Sequence, residues 1–95
     1  MQVKKEREMK IICIKDTIRK DVPIYYRMLY TGVAVIDLGQ GSSNFRIDFS
    51  IETKPTGMKE VVVSFIDKID YPLVPVLKEL KQHITDLDNA GGLPD

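Results

Sequence analysis

Hydrophobic and polar positions alternate most cleanly along FRIDFSIE, where Phe45, Ile47, Phe49 and Ile51 interleave with Arg46, Asp48, Ser50 and Glu52. A period of two places the apolar set on one face of a strand and the polar set on the other, so one sheet face is packed and the other is wet. Residues 9–15, MKIICIK, are apolar on both sides of such a pattern and read as a covered strand. Residues 23–31, PIYYRMLYT, are rich in aromatic and branched side chains and predict a further strand. The polar DTIRKD between them reads as a connection. Gly32 is expected to break or bulge the chain before VAVIDL at 33–38, and after the KPTG turn MKEVVVSFI at 58–66 supplies another strand.

The period then changes. Leu73, Val76, Leu77, Leu80, Ile84 and Leu87 fall on one stripe of a 3.6-residue helix, with Lys78, Glu79, Lys81, Gln82 and Asp86 opposite. Pro72 and Pro75 fit only a first turn, where no backbone N–H is needed. Asn89-Ala90-Gly91-Gly92 ends the helix, with Leu93 placed to fold back on a glycine cap. The predicted fold is α+β: a small, mainly antiparallel sheet of four to five strands packed on one C-terminal amphipathic helix. Residues 1–8 are expected to be a flexible N-terminal arm and residues 9–95 a single domain.

Composition narrows the class. A chain of 95 residues that is 43% hydrophobic and 29% charged is that of one soluble globular domain. No apolar run approaches the ~18 residues of a membrane span, and the charged start lacks the apolar segment of a secretory signal. The lone Cys13 excludes an intrachain disulfide and points to a reducing, cytoplasmic setting. Zero net charge hides an asymmetry. Residues 1–30 hold eight basic and four acidic side chains, leaving six and ten for the remainder. A basic end suits either nucleic acid or the acidic end of another copy.

Little else suggests chemistry. Gly39-Gln40-Gly41-Ser42-Ser43-Asn44 lacks the third glycine of a dinucleotide loop and the lysine of a nucleotide-triphosphate loop, and it precedes a strand rather than a helix. It is therefore predicted to be a hairpin turn. His83 is the sole histidine, with Glu79 and Asp86 in reach but no nucleophile nominated. Asp37 and Asp48 flank the hairpin and would serve as a carboxylate pair only if they lined a cleft. Asp86-Leu87-Asp88-Asn89-Ala90-Gly91 resembles the opening of an EF-hand loop, but Ala90 replaces a ligand and the chain ends before the closing glutamate. No enzyme, cofactor or metal is expected.

Two readings remain. The first is a non-enzymatic interaction or regulatory module, self-associating as a homodimer or binding another protein. A single helix covers one sheet face, so Tyr25, Leu29 and Tyr30 are candidates for surplus apolar surface. The second is single-stranded nucleic-acid binding through an aromatic and basic face made by Arg19, Lys20, Tyr25, Arg27 and Tyr30. The order of strands followed by a C-terminal helix, with LKELKQHITDLDNA at its end, resembles the small single-stranded-DNA-binding transcriptional coactivators and Whirly-like domains. That resemblance implies a curved sheet offered to nucleic acid, and equally dimerisation through such helices.

Overall fold

Four antiparallel strands, β1 (Lys10–Lys20), β2 (Arg27–Asp37), β3 (Ser42–Thr53) and β4 (Lys59–Phe65), lie side by side in chain order, followed by helix α1 (Leu73–Asn89). This computed structural model describes residues 9–22 and 25–94. The arm expected at residues 1–8 lies outside them, as do Pro23 and Ile24 at the head of the expected second strand. The α+β class and the single sheet against a C-terminal helix are as predicted, with four strands.

The strand boundaries differ from the reading of the sequence in two places, for one reason. DTIRK is not a connection but the second half of β1, and Gly32 does not divide β2, which runs unbroken from Arg27 to Asp37. The irregularity lies on the neighbouring strand. Between the pairs Lys15↔Val33 and Ile18↔Thr31, the two residues Asp16 and Thr17 oppose the single Gly32. That is a β-bulge. Asp16 takes a left-handed φ of 53°, which an aspartate tolerates better than most residues. Glycine is needed opposite because a Cβ there would lie 3.1 Å from Ile14 Cγ2 and 3.5 Å from the Lys15 carbonyl oxygen. A second bulge at Ile12 separates the pairs Ile11↔Ile36 and Cys13↔Val35.

The expected hairpin turn is present. Leu38–Gly41 joins β2 to β3 with Gly39 and Gly41 at φ of 101° and 96°, and the Gly39 N–H donates to Asp37 Oδ1 at 2.8 Å. The register of β2 on β3 sets Asp37 opposite Ser42 and Asp48 opposite Thr31. Six residues of strand, roughly 20 Å, therefore separate the two carboxylates along the sheet. They form no pair.

Alternation sends Tyr30, Ala34 and Ile36 of β2, Ile47, Phe49 and Ile51 of β3, and Val63 of β4 to the same side. There they meet Val76, Leu80 and Ile84, which are fully buried on α1. Tyr30 stacks on Phe49 with ring centroids 5.0 Å apart, and Phe45 meets Phe65 edge-on at 6.0 Å. Pro72 is the N-cap and Pro75 lies in the first turn, as their missing N–H groups require. At the other end Gly91, at φ 73°, reverses the chain. The Gly92 N–H bonds to the Leu87 carbonyl at 2.8 Å and the Gly91 N–H to that of Asp88 at 3.1 Å. Leu93 then folds back against the core.

Leu80 is the middle of the buried stripe. Leu80→Ala is expected to destabilise the domain by roughly 2–5 kcal/mol, measured by denaturant-induced unfolding; an unshifted midpoint would show that α1 does not carry the core.

Candidate interaction surface

The opposite face of the sheet has no helix over it among the described residues. Its composition follows from strand register. On β2 it presents Arg27, Leu29, Thr31, Val33 and Val35, and across the ladder these oppose Lys20, Ile18, Lys15 and Cys13 of β1. On the other side they oppose Glu52, Ser50, Asp48, Arg46 and Asn44 of β3, and β4 adds Glu60, Val62 and Ser64. The face is thus two-toned. Its β1–β2 half is largely aliphatic and its β3–β4 half largely polar, with Val62 as an apolar outpost that is 49% exposed.

The bulges in β1 create part of this apolar half. Without them, the alternation set by Ile14 would carry Ile18 to the core side. One extra residue reverses every side chain beyond it, so Ile18 emerges on the open face at 63% exposure while Arg19 turns toward the helix side. The bulge at Ile12 likewise lets both Ile11 and Ile14 reach the core and directs Cys13 outward.

Charges frame the face in pairs. Arg27 Nη2 reaches Glu52 Oε1 at 3.2 Å, Lys54 Nζ reaches Glu60 Oε1 at 2.9 Å, and Lys20 Nζ stands 3.7 Å from Asp48 Oδ1. The strongest link is Arg46 with Asp67, just beyond β4. The guanidinium donates to Asp67 Oδ1 through Nη2 at 2.7 Å, and the Arg46 backbone N–H donates to Oδ2 at 2.8 Å. These bonds, the side-chain one foremost, hold the Asp67 carboxyl below its ordinary range. Lys54 does the same for Glu60 through a side-chain hydrogen bond. Two buried atoms are left over. Asp48 Oδ1 and Arg27 Nε have no hydrogen-bond partner among the described residues.

The five residues expected to make one aromatic and basic face are not brought together. Lys20 and Arg27 lie on the open face, each beside an acid. Arg19 lines a cavity of about 250 Å³ on the helix side, with Met28, Tyr30, Ile51 and Leu93. Tyr30 is only 5% exposed, so it belongs to the core and not to surplus surface. Tyr25 sits in the turn before β2 at 95% exposure. Ile18, Val33, Val35 and Val62 belong to the face although the linear pattern does not single them out. The one signal for them is that Val33 and Val35 alternate with Ala34 and Ile36, which leaves an outward-facing pair.

Residues 7–89, a stretch that spans the sheet and the helix, match the profile of a single protein family, designated BB_0187. The chain belongs to that family. No curated protein and no solved structure matches it. The family's fold therefore has to be read from its own geometry. Among the described residues no helix is long and apolar enough to cross a membrane. His83 is half-buried on α1 beside Glu79, Gln82 and Asp86, facing Met9–Ile11. Asp88, in the segment resembling an EF-hand opening, bonds to Lys59 Nζ at 2.8 Å, and Asp86 accepts from Gln82 at 3.0 Å.

Because the Asp67 carboxyl titrates lower in the folded chain than in the unfolded one, its stabilisation is complete above the ordinary carboxylate pKa of about 3.9 and is lost as pH falls through the lower folded value. Melting temperatures recorded from pH 6 downward are expected to fall less steeply below about pH 4 in Asp67→Asn than in the parent chain. Parallel curves would show that the tether contributes nothing.

Proposed function

We propose that this chain is a non-enzymatic interaction module that self-associates through the open face of its sheet. The observation that carries the reading is the aliphatic β1–β2 half of that face, Cys13, Ile18, Leu29, Val33 and Val35, on a sheet whose single helix is spent on the other side. An apolar patch of this kind, rimmed by polar groups, is the usual mark of a protein-binding surface.

A second copy fits the charge of the face. Lys15, Lys20, Arg27 and Arg46 are matched by Asp48, Glu52, Glu60 and Asp67. A face of one sign would repel its own copy, whereas a balanced one permits pairing about a two-fold axis. Asp48 Oδ1 and Arg27 Nε, an acceptor and a donor buried without partners, are groups that an apposed chain would satisfy. Two such faces would pack as a sandwich roughly 10 Å deep. The mixed charge and the burial of Tyr30 weigh against a stacking platform for nucleic acid, which needs exposed rings beside unpaired cations.

Sedimentation velocity over a concentration series is expected to show a self-associating species. Val33→Asp, which puts an unpaired charge in the aliphatic half, is expected to weaken that association roughly tenfold or more while leaving the fold intact. A chain that stays monomeric at every concentration, or a variant that associates as the parent does, would rule the surface out. A labelled single-stranded oligonucleotide is expected to show no salt-sensitive micromolar binding. Binding that disappears in Tyr25→Ala with Arg27→Ala would favour the nucleic-acid reading instead.

A further inference from the structure

The sheet has two edges, and they are built differently. β1 is bulged twice and carries Lys10, Lys15 and Lys20, the devices that keep an edge strand from recruiting another. β4, KEVVVSF, has no bulge, no proline and no positive φ. Its ladder bonds can be placed from its two ends. The Lys54 N–H donates to the Met58 carbonyl at 2.8 Å and the Ile66 N–H to the Arg46 carbonyl at 2.9 Å. In an antiparallel pair such bonds recur at alternate residues, so Glu60, Val62 and Ser64 bond to β3. The N–H and C=O groups of Val61, Val63 and Phe65 therefore point away from β3, and no other strand among the described residues lies on that side.

We propose that β4 is a strand-pairing edge whose occupant is the β4 of a second copy, antiparallel and centred on Val62. This register aligns Lys59–Phe65 with itself over its whole length. It pairs the outward-pointing residues with one another, Val61 with Val63 of the second copy and the reverse, which is the pairing that lets both exchange backbone hydrogen bonds. On the open face it sets Val62 against Val62 at the closer, non-hydrogen-bonded spacing and Glu60 against Ser64, with no like charges opposed. On the helix side Lys59 faces Phe65. The two four-stranded sheets become one of eight strands. This contact goes beyond the open-face reading and does not rest on it, because its hydrogen bonds come from the β4 backbone and make no use of Leu29, Val33 or Val35.

Amide hydrogen exchange of the full chain, followed residue by residue at low and high protein concentration, tests it. The amides of Val61, Val63 and Phe65 are expected to slow roughly tenfold or more with rising concentration, and to do so equally in Val33→Asp. Ser64→Glu, which opposes two carboxylates twice across the two-fold, is expected to abolish the slowing, and Ser64→Lys to shift it to lower concentration. Unprotected β4 amides in a sample that sedimentation shows to be associated would overturn the edge contact while leaving the open-face association standing. A chain that is monomeric throughout would overturn both.

Discussion

A single helix of 17 residues can shield only one side of a four-stranded sheet, and the organisation of this protein follows from that shortage. Val76, Leu80 and Ile84 close over Tyr30, Ile47, Phe49 and Ile51, and their burial supplies the dominant favourable contribution to folding. Nothing comparable is left for the other side. That side must either be polar enough to face water or be closed by another chain. Here it is divided, polar on β3–β4 and aliphatic on β1–β2.

The division is made by the first strand. Two bulges in β1 each reverse the alternation, so that Ile11 and Ile14 both point inward while Cys13 and Ile18 point outward. The local conformation is demanding, with Asp16 in the left-handed region and room made for the bulge only because Gly32 has no side chain. The same bulges bend and blunt that edge of the sheet. They leave β4, regular and unprotected, as the edge with free backbone groups. One irregular strand thus governs both the chemistry of the open face and the asymmetry between the edges.

Polar groups keep this arrangement in register without stabilising it greatly. Ion pairs such as Arg27–Glu52 and Lys54–Glu60 are partly solvated, and pairs of that kind are individually worth little. Their value lies in position. They occupy the polar half of the open face with matched charge, so that the aliphatic half is the part that gains from being covered. Arg46 and Asp67 tie the segment after β4 back to β3, which holds the turn leading into the helix.

Local periodicity by itself determined the class of this protein. The alternation at Phe45–Ile51, the stripe from Val76 to Ile84, the glycines at 39 and 41 and the glycine cap at 91 each arise from interactions within a few residues, and each appears in the fold as the pattern implies. What only the tertiary structure decided is which neighbour each strand meets and in what register. The bulge opposite Gly32 depends on β1 lying beside β2, so the sequence alone assigns the irregularity to the wrong strand and mistakes DTIRK for a loop. Tyr30 looks like surplus surface because aromatic strands give no sign of which face is covered; stacking on Phe49 under the helix settles it. The grouping of Ile18, Val33 and Val35 on one open face has the same origin. It is a property of pairing between distant segments, and a linear pattern of apolar residues does not contain it.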